Sequence, residues 1–138
     1  MPPVSLTTAA RAFLDEVRLG TLATVNRQGI PSQVLVWYML DGDDILVSTP
    51  AASYKVRNLR SNPWASLSVS EESRYVTVRG RATIDEDAER GVALYRQIAT
   101  RYLGPEAAER WLAQASRRGA ADRFTLRLRI EHVIGTQR

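Results

Sequence analysis

Residues 21–49 read TLATVNRQGIPSQVLVWYMLDGDDILVST, and the spacing of turns within them decides the fold. TLATV (21–25) has the composition of a strand, and NRQG (26–29) supplies a glycine-containing hairpin turn. PSQVLVWYML (31–40) reads as one long strand, apolar enough to be covered on both faces. DGDD (41–44) is a second tight turn, and ILVST (45–49) is the next strand. Three strands joined by two hairpins make a meander.

Upstream, Ala10, Phe13, Leu14 and Val17 fall on one helical stripe over 8–18, with Thr7 or Thr8 as the N-cap. Downstream, WASLSVS (64–70) alternates, with Ala65, Leu67 and Val69 on one face. RYVTVRGRATI (74–84) is a further strand whose Gly80 marks a bulge or a close backbone approach. DEDAE (85–89) suits a helix start, and the helix after it carries Val92, Tyr95, Ile98, Ala99 and Tyr102 on one stripe. Gly104-Pro105 opens another helix, with Ala108, Trp111, Leu112 and Ala115 inward and Gly119 as its stop. In the last strand, RFTLRLRIEHVIG (123–135), Phe124, Leu126, Leu128, Ile130 and Ile134 share one face, and His132 lies in register with them. Arg123, Arg127 and Arg129 take the other face, where Arg127 and Arg129 are most simply solvated, the alternative being contact with an anionic tail.

Six strands with few helices point to an antiparallel barrel with peripheral helices, closed or half-closed by the sixth strand. No repeat, linker or low-complexity segment divides residues 1–138, so one domain is expected.

The composition removes several kinds of chemistry. With no cysteine there is no disulfide, thiolate metal site or cysteine nucleophile, and a single histidine excludes a multi-histidine metal centre. MPPVSLTTAA lacks the charged start and apolar run of a signal peptide, and no stretch approaches a membrane span, so a cytoplasmic protein is expected. The net charge of +4 is spread along the chain and interleaved with acids, which favours a small anionic ligand over nucleic acid.

Of the nineteen basic residues only Lys55 is a lysine, and it sits in YKVRNLRSNP (54–63). Ser53 can cap a helix that begins at Tyr54 and is closed by Pro63. A helix N-terminus attracts anions, and Ser53, Lys55 and Arg57 place a hydroxyl and two cations within its first turn. The loop STPAAS (48–53) adds hydroxyls and small residues. The alternative is a surface helix with solvated charges. The tryptophans 37, 64 and 111 read first as core or interface, with either Trp37 or Tyr38 available to a planar ligand.

The order of these pieces, GTLATVNRQGIPSQVLVWY (20–38), ILVSTPAASYKVRNLRSNPWASLSV (45–69) and YVTVRGRATI (75–84), resembles the pyridoxamine 5′-phosphate oxidase-like split β-barrel proteins. It is closest to their actinobacterial flavin/deazaflavin branch, many of which use coenzyme F420. LYRQIATRY (94–102) and IEHVIG (130–135) also fit. The resemblance implies a mainly β, six-stranded split barrel that forms a homodimer, with the cofactor in a groove at the subunit interface. It implies a phosphate held by Ser48, Thr49, Lys55 and Arg57 with Asn58 beside them. The ring system would lie along Gln33, Val34, Leu35, Val36 and Trp37, and Trp64 and Tyr75 would reach the partner's site. The basic C-terminal segment of the pyridoxamine phosphate oxidases proper is replaced by RIEHVIGTQR (129–138), which argues against vitamin B6 phosphate oxidation. An F420-dependent reductase is the leading expectation, in which solvent or a tyrosine such as Tyr38 protonates the product. The alternatives are an FMN-dependent oxidase or reductase and a non-catalytic flavin carrier. No metal, membrane or nucleic-acid partner is expected.

Overall fold

The structure, a computed structural model, describes residues 5–117 and 122–136. Its elements are α1 (Thr8–Asp15), β1 (Gly20–Val25), β2 (Pro31–Val36), β3 (Met39–Asp41), β4 (Asp44–Pro50), α2 (Tyr54–Ser61), β5 (Trp64–Glu71), β6 (Arg74–Asp85), α3 (Ala88–Leu103), α4 (Pro105–Arg117) and β7 (Arg123–Thr136). All strand pairs are antiparallel, in the order β2-β1-β5-β6-β7-β4-β3.

There are thus seven strands in an open ladder, where the sequence led us to expect a six-stranded barrel. The run 31–40 is not one strand. It breaks at Trp37 and Tyr38, and its two parts become the opposite edges of the sheet. The break follows from Tyr38, whose side chain is fully buried and donates its hydroxyl to the Leu14 carbonyl at 2.6 Å. The Tyr38 N–H donates to the Tyr102 hydroxyl at 3.1 Å, and its carbonyl accepts from Arg101 Nε at 3.2 Å. Two side chains of α3 therefore satisfy the backbone groups that a ladder would have used. β2 is also exposed along most of its length rather than covered on both faces.

One face of the sheet encloses the main core, including Leu22, Ile45, Leu67, Val76, Leu126 and Ile130. Phe13 and Leu14 of α1 and Val56 and Leu59 of α2 pack into it. α1 starts at the expected cap, Thr7, but ends at Asp15, leaving Val17 outside the helix and exposed. α3 crosses the opposite face of β4, where Leu94 and Ile98 bury Leu46 beside Trp37, Met39 and Tyr102. On α3 and α4, Val92 and Trp111 are exposed in part rather than turned wholly inward, whereas Ala108 is buried. Gly119, the expected stop of α4, lies outside the described residues.

The glycine in β6 does mark a bulge. Arg79 pairs with His132 and Gly80 with Ile130, so Glu131 is the extra residue. The insertion inverts the alternation of β7. Ile130 and Glu131 are both buried, Val133 packs on the core, and His132 and Ile134 face outward. His132 accordingly does not share the apolar face.

A Cβ at Gly80 would lie 1.8 Å from the Arg129 carbonyl oxygen. Gly80→Ala must force β6 and β7 apart, and urea unfolding should show a loss of roughly 2–4 kcal/mol.

Candidate functional site

α2 begins as its sequence requires. Ser53 caps it by accepting the Val56 N–H at 3.4 Å, and Thr49 Oγ1 donates to Ser53 Oγ at 3.0 Å. This fixes the 48–53 loop against the helix and leaves Lys55 half-buried at the end of a cleft of about 280 Å³. Ser48, Thr49 and Pro50 line that end. Leu19, Leu35, Val36, Trp37, Ile98 of α3 and Trp111 of α4 line the rest of it.

Arg123, the first residue of β7, also lines the cleft. Its Nε donates to Ser48 Oγ at 3.2 Å and its terminal NH2 to the Ser48 carbonyl at 3.1 Å. Its guanidinium lies over the Tyr95 ring, 3.8 Å from the centroid. The Tyr95 hydroxyl in turn accepts Trp111 Nε1–H at 2.6 Å. Trp37 stacks on Tyr102 with centroids 5.2 Å apart and tilts against Trp111 at 5.7 Å. This arrangement depends on Gly91. A Cβ there would sit 1.9 Å from the Arg123 carbonyl oxygen, so only glycine lets α3 lie against the start of β7.

The electrostatics of the cleft are unbalanced. Every other half-buried cation among the described residues, Arg11, Arg18, Arg74, Arg101 and Arg127, has a carboxylate within ion-pair distance. Among the described residues Lys55 and Arg123 have none, and no acidic one lines the cleft. Burial lowers the Lys55 pKa from its ordinary value, and the neighbouring Arg123 lowers it further. Burial lowers that of Arg123 too. Two desolvated like charges are costly unless an anion joins them. A phosphate-bearing molecule with a flat ring fits this combination of free cations and aromatic walls.

A larger groove, about 830 Å³, lies along α3 between Leu46 and Val92. Its arginines are neutralised within the chain: Arg90 by Asp85 and Asp87, Arg96 by Glu109, and Arg127 by Asp41 and Asp44. Among the described residues that groove therefore offers no unpaired cation to an anionic ligand.

Of the residues expected at the site, Leu35, Val36, Trp37, Ser48, Thr49 and Lys55 line the cleft. Ser53 acts beside it as the cap. Gln33 and Val34 lie on exposed β2 but do not line it. Arg57 points elsewhere, with its guanidinium 4.3 Å from the ring of exposed Tyr54. Asn58 is buried, and its Nδ2 donates to Thr24 Oγ1 at 3.0 Å, tying α2 to β1. Trp64 and Tyr75 stand on the outer face of β5 and β6, in part exposed, and neither lines the cleft. Tyr38 is no proton donor to a ligand, since it is enclosed in the core and burial raises its pKa. Arg123, Tyr95 and Gly91 were not anticipated as site residues. A glycine inside a helical pattern was the available signal for the last. Among the described residues no group of three or more His, Cys, Asp or Glu could hold a metal, and no helix is long and apolar enough to cross a membrane.

A family model described as pyridoxamine 5′-phosphate oxidase matches residues 6–137. The chain therefore belongs to the pyridoxamine 5′-phosphate oxidase family. Among solved structures, an F420 reductase superposes with a TM-score of 0.73 at 26% identity, covering 97% of this chain and 98% of that one. A conserved hypothetical protein from Mycobacterium tuberculosis superposes with a TM-score of 0.75 at 25% identity, covering 99% and 88%. The dihydrophenazinedicarboxylate synthase of Pseudomonas chlororaphis is 38% identical over 96 residues, which is 67% of this chain but only 43% of that protein.

The placement of Asn58 gives a test of its role. Asn58→Ala leaves the Thr24 hydroxyl without its partner and opens a small void, so unfolding experiments should show a loss of about 1–3 kcal/mol. Ligand affinity measured under native conditions should stay within about twofold, since Asn58 does not line the cleft.

Proposed function

We propose that this protein is an F420-dependent reductase that binds its cofactor in the cleft between β4, α2 and α3. One observation carries the reading: half-buried Lys55, with no carboxylate partner among the described residues, lines a cleft that Trp37, Tyr95 and Trp111 line too. Lys55 would neutralise the cofactor phosphate. Trp37 and Trp111 offer flat apolar surfaces for a ring, and Leu35 and Ile98 exclude water beside it. Reduced deazaflavin supplies a hydride when bound, and the protein supplies orientation and a partly dry site. Among the described residues no carboxylate or histidine lines the cleft, and solvent is the proposed source of the product's proton. The substrate class in this reading is an unsaturated small molecule, and the F420 reductase of the same fold supports the choice of cofactor. An FMN-dependent activity is the second reading, supported by the family description and by the dihydrophenazinedicarboxylate synthase.

The assembly we propose is a homodimer. Across the outer sheet face, pairing aligns Leu35, Thr21, Ser68, Thr77 and Ile134 in one row, small residues in the middle and exposed apolar ones at the ends. Leu35 is 63% exposed and Ile134 46%. Leu35 belongs both to this face and to the cleft wall, so a second copy seated here would border the cofactor. Analytical ultracentrifugation should find a dimer that Leu35→Glu converts to monomer; a wild-type monomer at micromolar concentration contradicts it.

Titration of apoprotein should give clearly tighter binding of F420 than of FMN, and the reverse order overturns the choice of cofactor. Lys55→Met should lower the favoured cofactor's affinity by well over tenfold. It should not lower stability. The folded-state pKa of Lys55 lies below its unfolded value, so at neutral pH its charge disfavours the folded state, and that penalty fades as pH rises through its titration. The unfolding midpoint of Lys55→Met at pH 7 should therefore equal or exceed that of the wild type.

A further inference from the structure

The second cation of the phosphate-binding motif need not be the one that the motif contains. Arg57 follows Lys55 by two residues on α2, and a helix turns residues so spaced to different faces. Its guanidinium rests on the exposed Tyr54 ring, outside the cleft. Arg123, sixty-eight residues further along, begins β7 and pairs with Pro50 at the end of β4, so it lines the same cleft as Lys55.

Arg123 is held before any ligand arrives. Ser48 takes two of its N–H donors, one on the hydroxyl and one on the carbonyl, and the Tyr95 ring covers its face. A guanidinium carries five donors, so others stay available to a ligand. Fixing the head in advance removes most of the rotamer cost of binding, which for arginine is otherwise large. The proximity of the two cations is also expressed in their electrostatics, since Arg123 depresses the ionisation of Lys55. An anion between them relieves that repulsion and satisfies both.

We infer that Lys55 and Arg123, with the Ser48–Thr49 segment beneath them, form the anion clamp of this cleft and take a phosphate group between them, Arg57 having no part in it. The inference rests on the cofactor reading given above, and it deepens that reading by naming the second cation. Tyr95 and Gly91 are positioning residues in this scheme. Tyr95 orients the guanidinium, and Gly91 lets α3 come close enough for it to do so.

The experiment compares ligands with and without the phosphate. Wild type, Arg123→Met and Arg57→Met are titrated with F420 and with its dephosphorylated riboflavin-like fragment, and with FMN and riboflavin. Arg123→Met should weaken the phosphorylated member of the bound pair by about tenfold or more and leave the unphosphorylated member within about twofold. Arg57→Met should change neither. Equal losses for both members of a pair in Arg123→Met would mean a merely structural role and overturn the inference, as would a phosphate-specific loss in Arg57→Met alone. Should wild type bind neither cofactor, the cofactor reading falls and the clamp is judged by inorganic phosphate at constant ionic strength. A thermal shift present in wild type and Arg57→Met but absent in Arg123→Met upholds the clamp; no shift in wild type overturns it.

Discussion

Helix α3 rests on the first residue of β7 so closely that position 91 admits no side chain. Much of the molecule's geometry follows from that contact. One turn beyond Gly91, Tyr95 meets the Arg123 guanidinium. Another turn on, Ile98 closes over Leu46. At the end of the same helix, Arg101 and Tyr102 take up the backbone groups of Tyr38 and hold the sheet open there. A helix that stood further out would stretch the hydrogen bonds to Tyr38 and weaken the cation–π contact and the outer apolar layer with them. The cleft is the space left between this helix and the strands it crosses.

Charge decides which of the available spaces is a site. The groove along the other side of α3 is larger, yet each arginine bordering it already has an acidic partner within the chain. The smaller cleft holds two cations with none. Exposed ion pairs contribute little on average, whereas unpaired buried charge is costly and persists where a ligand relieves it. This contrast, rather than size, singles out the cleft, in a chain of the pyridoxamine 5′-phosphate oxidase family.

Local signals in the chain carried some of this organisation and not the rest. The cap at Ser53, the turn at 26–29 and the bulge at Gly80 are written in residue types whose effect is short-range. The break at Trp37–Tyr38 was not legible, because it lies in a continuous apolar run and is made by hydrogen bonds from residues more than sixty positions away. The outward turn of His132 was missed because an extra residue at 131 reverses the alternation that placed it inward. Arg123 was assigned to the correct face of its strand, but alternation does not say what covers a face, and here α3 does. Arg57 and Asn58 share the motif with Lys55 yet point to solvent and to Thr24 respectively, since a helix distributes neighbours around its axis.

The most direct test of the central claim is a crystal structure of the protein with F420 bound. The account predicts the phosphate within hydrogen-bond distance of both Lys55 Nζ and the Arg123 guanidinium, with the ring against Trp37 or Trp111. A phosphate seated on Arg57, or a cofactor lying in the groove bordered by Leu46 and Val92, would contradict it.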